Sequence, residues 1–165
     1  MKKNNNNIVL ANEADAERVM EIYTSYIGEN GCTWHADYPN LDIVKADIAE
    51  KCLYRLNGEN GEIIAVAAIG VDEELSQFDC WDKDVIKWCD LARVAVVHGK
   101  LRQGIAEKLV QFLIDEAKKR GYGGMRMLVG RKNERAIALY KKIGFVYCGE
   151  CYAWETEWYC YQLKF

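Results

Sequence analysis

The residues best suited to chemistry lie between positions 91 and 145. An apolar run, Leu91-Ala92-Arg93-Val94-Ala95-Val96-Val97, feeds a turn, Leu101-Arg102-Gln103-Gly104-Ile105-Ala106, which opens an amphipathic pattern. The first N–H groups of a helix have no partner within it, and the helix dipole favours negative charge there. Gly104 lets a phosphate approach those groups, and Lys100 and Arg102 add fixed positive charge. Downstream, residues 133–143 read as a helix with Ala136, Leu139, Tyr140 and Ile143 on one face, stopped by Gly144 before Phe145. Tyr140 is a candidate proton donor; a ring packed on a buried stripe is the alternative.

Two rival phosphate motifs fail on spacing. Gly99 and Gly104 are separated as in a P-loop, but Ile105-Ala106 stand where Lys and Ser or Thr are required, and no Gly-x-Gly-x-x-Gly follows a strand.

The elements that must position these residues follow from hydrophobic period. Ile8-Val9-Leu10-Ala11 reads as a strand, and Val19, Ile22, Tyr23, Tyr26 and Ile27 recur at helical spacing. Residues 28–40, rich in Gly and Asn and holding Pro39, form a loop; Leu41, Val44 and Ile48 mark a second helix over 41–51. Strands 53–56 and 63–69 flank Asn57-Gly58-Glu59-Asn60-Gly61, a hairpin signal because Asn and Gly tolerate positive φ. An acidic connector, 72–84, leads to the strand at 90–97. After the turn, Ile105, Leu109, Phe112, Leu113 and Ala117 form a helical stripe that stops at Gly121. A strand at 125–129, the helix bearing Tyr140, and a closing antiparallel pair at 145–151 and 158–165 complete the order β-α-α-β-β-β-α-β-α-β-β.

Length suits one domain over residues 1–165, with the Asn-rich residues 1–7 as a flexible tail. A net charge of −3 supplies no basic surface, so no nucleic-acid partner is expected. No apolar run approaches the roughly 18 residues that span a bilayer, and Lys2-Lys3 precedes asparagines rather than an apolar leader, so neither membrane nor export is expected. Seven cysteines without a regular framework fit a reducing, cytoplasmic setting. His35 and His98 lack a ligand partner at metal spacing, so no metal is expected. Cys148-Gly149-Glu150-Cys151 has C-x-x-C spacing but falls in a strand, not at a helix N-terminus, and reads as incidental thiols.

Residues 91–149 resemble the core of the GNAT superfamily of acyl-CoA-dependent N-acyltransferases. Its pyrophosphate loop reads Gln/Arg-x-x-Gly-x-Gly/Ala, and Arg102-Gln103-Gly104-Ile105-Ala106 matches the last five positions, with Leu101 departing at the first. Asn133-x-x-Ala136-x-x-Leu139-Tyr140-x-x-x-Gly144-Phe145 is similar to a second family helix. The resemblance implies an α/β (α+β) fold with a mixed, mostly antiparallel sheet of seven strands and four helices. It implies acetyl-CoA as co-substrate and direct transfer of acetyl to a primary amine of a small molecule or peptide in a ternary complex. It places Val94, Ala95 and Val96 along the pantetheine arm, with the Val94 N–H on the thioester carbonyl, and Leu101, Arg102, Gln103, Gly104, Ile105 and Ala106 around the phosphates. Adenine and ribose are expected near Asn133 and Arg131-Lys132. A bulge in the strand of Val94 is implied, although no residue type marks it.

Tyr140 is then expected to protonate the departing sulfur. Asp90 stands at the offset from the loop where related enzymes carry a basic glutamate, and would act on the amine through a water. Arg93 either orients an acid or faces solvent. Trp34, His35, Glu73, Glu74, Trp81, Asp82, Asp84, Trp88, Trp154 and Trp158 could surround a cationic acceptor, or be core aromatics and a solvated acidic loop. Relatives pair through sheet edges or faces, which leaves a homodimer open. An idle acyl-CoA-binding module of the same fold would keep the loop and lose turnover.

Overall fold

The computed structural model describes residues 7–165. Most of the expected tail lies outside the described residues. Asn7, assigned to it, is instead held: its carbonyl accepts from the Asn57 N–H at 2.8 Å and its side-chain amide donates to the Asn57 carbonyl at 3.0 Å.

The elements follow the expected order: β1 (Ile8–Leu10), α1 (Ala16–Thr24), α2 (Leu41–Ala49), β2 (Leu53–Asn57), β3 (Ile63–Gly70), β4 (Trp88–Val96), α3 (Ile105–Lys119), β5 (Gly124–Gly130), α4 (Glu134–Ile143), β6 (Val146–Ala153) and β7 (Thr156–Lys164). The seven strands form one sheet in the order β1-β2-β3-β4-β5-β7-β6. The β4–β5 ladder is parallel; β1–β2, β2–β3, β5–β7 and β6–β7 are antiparallel. The expected mixed, mostly antiparallel sheet with four helices is thus present. No helix among the described residues is long and apolar enough to cross a membrane.

Short polar side chains start the helices where the chain leaves a loop. Asn40 accepts from the Ile43 N–H at 3.0 Å to begin α2, and Asn133 accepts from the Ala136 N–H at 3.2 Å to begin α4. Gly144, at φ 118, ends α4 in the left-handed conformation that side chains resist.

The chain folds as two compact units. One comprises residues 28–33, 69–92 and 114–165. Here the parallel ladder aligns Trp88, Cys89 and Asp90 with Gly124, Met125 and Arg126. Asp90 and Arg126 are therefore direct register partners, and Arg126 Nε donates to Asp90 Oδ1 at 2.5 Å with both residues buried. The second guanidinium nitrogen donates to Ser76 Oγ at 2.9 Å, and the guanidinium lies 5.4 Å from the Trp81 ring. The Asp72 N–H donates to Asp90 Oδ2 at 2.6 Å. One ion pair thus ties the acidic connector to β4 and β5. Further along, Lys164 meets Asp82 at 2.7 Å and the Asp82 N–H donates to Gln162 Oε1 at 2.9 Å, fastening the same connector to β7.

The other unit comprises residues 7–27, 34–68 and 93–113. Val19, Ile22 and Tyr23 of α1 pack with Val44 of α2, Leu53 of β2, Val66 of β3 and Ala95 of β4. Each larger side chain so buried contributes about 1.5–3 kcal/mol relative to exposure. Arg93, within β4, has φ 51, an uncommon backbone state for a residue with a side chain. Its guanidinium donates to Asp47 of α2 at 2.6 Å and to the Tyr38 hydroxyl at 3.1 Å. Burial is the largest single influence and opposes its charge, but Asp47 together with Tyr38 and Tyr23 outweighs it and holds the group above its ordinary pKa. Arg93 therefore orients an acid.

Asp47→Ala should leave this guanidinium partly buried and unpaired. We expect a loss of roughly 2–3 kcal/mol, below the about 3–5 of a fully buried broken pair, because both side chains retain 15% exposure. Denaturant unfolding measures it; a change within experimental error would remove the anchoring role.

Candidate functional site

The turn that the sequence marks for anion binding carries two left-handed residues. Arg102 has φ 63 and Gly104 φ 73, and the side chains of Arg102 and Gln103 are exposed. A Cβ placed on Gly104 would meet nothing within 4 Å, so its backbone faces open space. The Gly104 carbonyl accepts from the Lys108 N–H at 3.0 Å, which makes Gly104 the residue from which α3 departs. Ile105 and Ala106 supply first-turn N–H groups of a fifteen-residue helix, whose N-terminal dipole favours an anion. Leu101 is half-buried at the start of the turn. This arrangement fits a pyrophosphate without requiring a side chain at position 101.

Upstream, the Val97 N–H donates to the Ile64 carbonyl of β3 at 2.9 Å. Alternation along a strand then turns the polar groups of Val94 and Val96 away from β3, while Ala95 packs in the core. The Val96 carbonyl on that open side accepts from the Tyr26 hydroxyl. Tyr26 also stacks on His98 at 4.3 Å between ring centroids, and Ser25 Oγ lies 3.4 Å from His98 Nδ1. Arg93, immediately before Val94, is left-handed within β4.

Asp90, Asn133 and Tyr140 belong to the other unit. Tyr140 is 7% exposed, sits edge-on to Phe145 at 5.8 Å, and its phenol is raised above the ordinary tyrosine pKa by burial. It therefore keeps its proton at neutral pH. Asn133 caps α4, and the Lys132–Asn133 backbone lies against Gly31, where a Cβ would come 2.6 Å from the Lys132 carbonyl. Arg131, expected near the adenine, pairs with Glu150 and Glu157 and lies 5.4 Å from the Tyr159 ring. Burial raises the Asp90 carboxyl, against the pull of Arg126 and the Asp72 N–H, and both of its oxygens carry hydrogen bonds.

The tryptophans have packing partners. Trp34 meets Tyr23 and Tyr26 edge-on at 5.1 and 6.2 Å; buried Trp81 donates its indole N–H to the Leu75 carbonyl at 2.6 Å; Trp88 leans on Trp81; Trp154 and Trp158 pack on each other. Of the acids grouped with them, Asp82 is bonded to Lys164. His35 pairs with Tyr38 through the backbone. Among the described residues no group of three or more His, Cys, Asp or Glu is arranged to hold a metal ion.

Sequence reasoning missed Arg126, Asp47, Tyr38 and Tyr26. Arg126 had a visible signal, a charge in the apolar strand Met125-Arg126-Met127-Leu128-Val129. The others act through partners distant in sequence and carry no local pattern.

Comparison with known proteins bears on family and fold. The sequence model of the Acetyltransferase (GNAT) family matches residues 16–145. The chain is 30% identical over 101 residues to the uncharacterized N-acetyltransferase YsnE of Bacillus subtilis, covering 51% of this chain and 67% of that protein. It is 39% identical over 61 residues to the [ribosomal protein bS18]-alanine N-acetyltransferase of Escherichia coli, covering 37% of this chain and only 41% of that enzyme. In fold it is similar to yncA of Salmonella typhimurium, solved with its cofactor acetyl-CoA, with a TM-score of 0.73, 21% identity, and coverage of 95% of this chain and 92% of that one. A loop that departs into α3 from a left-handed glycine, together with a family match over 130 consecutive residues, places this chain in the GNAT family of acetyltransferases.

Proposed function

We propose that the protein transfers acetyl from acetyl-CoA to a primary amine of a small molecule or peptide, by direct attack in a ternary complex. The observation that carries this reading is the exposed turn at Arg102, Gln103 and Gly104, with its two left-handed residues and the N-terminus of α3 behind it. Acetyl-CoA supplies the activated acyl group when bound. The N–H groups of the turn and of Ile105 and Ala106 hold the pyrophosphate, with Leu101 and Gln103 shaping the approach. The Val94 N–H donates where charge develops on the thioester oxygen, and the Val96 N–H holds the pantetheine arm, because Tyr26 already occupies the Val96 carbonyl. Ala95 keeps this strand seated in its core. The Asn133 turn receives the adenine end.

An amine with a pKa of about 10.4 must arrive neutral, and the departing thiol has a pKa of about 8.5. Tyr140, still protonated at neutral pH, donates to that sulfur. For Asp90 two roles compete. As a base it would take the amine proton through a water. As a positioning residue it would hold Arg126 and the Asp72 N–H, and the occupation of both oxygens favours this second role. The acceptor class includes peptide N-termini, supported by the matched stretch of the alanine N-acetyltransferase.

Acetyl-CoA at about 100 times its Kd should raise the thermal midpoint by roughly 5–10 °C, with ATP and NAD inert; equal shifts from all three would sink the cofactor assignment. In a coenzyme A release assay across polyamines, aminoglycosides, amino acids and peptides, at least one acceptor should turn over. Silence across that panel despite acetyl-CoA binding would leave the idle module as the better reading. With that acceptor, Tyr140→Phe should lower kcat by about 10²–10⁴-fold with acetyl-CoA affinity unchanged, and unchanged kcat would end its role as acid. Asp90→Asn should lower stability by about 3–5 kcal/mol, as expected when a buried ion pair loses one partner. An unaltered midpoint with loss of the acid limb of the pH–rate profile would return Asp90 to the role of base.

A further inference from the structure

Four of the seven cysteines belong to one place that the transfer reaction does not use. In a regular strand, residues three apart point to opposite faces, so Cys148 and Cys151 should diverge. The register of β6 on β7 instead slips between Tyr147 and Gly149, leaving Cys148 as the extra residue of a bulge. After the slip, Gly149 pairs with Cys160 and Cys151 with Trp158, so Gly149, Cys151, Cys160 and Trp158 share one face. The bulge returns Cys148 to that side: its thiol donates to the Cys160 carbonyl at 3.3 Å, and it packs with Cys151 in the cluster around buried Cys160.

The connector brings the fourth thiol. Cys80 packs in the same cluster, and a Cβ on Gly149 would lie 2.9 Å from Cys80 Cβ and 3.9 Å from Cys80 Sγ. Only a glycine at 149 admits so close an approach, and its φ of 155 is a second reason for it. Cys80 therefore sits over the bulge, in the same cluster as Cys148. Asp82, two residues on, is fastened to Lys164 and Gln162 and keeps the connector in place.

We propose that Cys80 and Cys148 form a peroxide-dependent disulfide that staples the connector to β6. A half-buried Cys80 reacts first: its sulfur takes one oxygen from hydrogen peroxide, giving a sulfenic acid and releasing water. Cys148 sulfur then attacks Cys80 sulfur, losing its proton, while the hydroxyl group leaves and departs with that proton as a second water. Two thiols are oxidised and one peroxide is reduced to two waters. Burial pushes the Cys148 thiol up to about 12, so closure should speed up as pH rises. Cys160 lies deeper, and burial raises it further.

The test uses the full reduced chain treated with hydrogen peroxide, then digested without reductant by trypsin and a glutamate-specific protease, which parts Cys148 from Cys151 at Glu150. The expected result is a Cys80–Cys148 linked peptide lighter by two hydrogens, released by dithiothreitol, with a thermal midpoint several degrees higher after oxidation. Cys148→Ser should stop Cys80 at oxygenated products and abolish the rise; Cys80→Ser should abolish the link without altering the reduced fold. A sulfinic Cys80 with no linked peptide in the unmodified chain would overturn the proposal, as would an equal yield of a Cys80–Cys160 link. None of these readouts depends on acetyl transfer.

Discussion

The buried pair of Asp90 and Arg126 ties together β4, β5 and the acidic connector of one unit. The two residues face each other across a ladder that aligns only three residue pairs, and between them they bind Asp72, Ser76 and the Trp81 ring. A buried pair of this kind adds little net stability over well-packed apolar side chains, but leaving one partner unpaired is costly. Its effect is therefore on specificity. A one-residue slip of β4 on β5 would strand a carboxylate and a guanidinium among Met125, Met127 and Cys89, and the connector would lose its attachment.

The same strand carries a second charged anchor in the other unit. Arg93 occupies a left-handed backbone state that would relax without support, and Asp47 and Tyr38 supply it. The irregularity precedes Val94, so the direction of the next N–H depends on an ion pair with α2 and a hydroxyl from the loop before it. Tyr26 completes the arrangement by taking up the Val96 carbonyl. Arg93, Asp47, Tyr38 and Tyr26 thus set the orientation of the backbone groups at Val94 and Val96.

The expected element order was legible because it rests on local rules: helical stripes, a glycine-rich hairpin, asparagine caps and glycine stops. The turn at 101–106 was legible for the same reason, since left-handed glycine before an apolar-periodic run is a local signal. The acidic and aromatic residues read as candidates for cation binding were not. Their side chains are equally suited to a cleft and to a core, and only packing chose: Trp34 on Tyr23, Trp81 on the Leu75 carbonyl, Asp82 on Lys164. The C-x-x-C spacing did not reveal on which side of the strand Cys148 falls, because that is set by a bulge that appears only once β6 pairs with β7.

The sequence by itself determined the order of secondary structure, the family pattern and the glycine-bearing turn that opens α3, all of which depend on neighbours within one or two turns of chain. Tertiary structure decided the protonation and partners of the charged and ionisable groups. Asp90 became one half of an ion pair, Arg93 one half of another, Tyr140 a buried phenol and Cys80 a member of the cluster that holds Cys148. Burial and the approach of residues tens of positions away set the energy of a charge, and neither is encoded at the position that bears it.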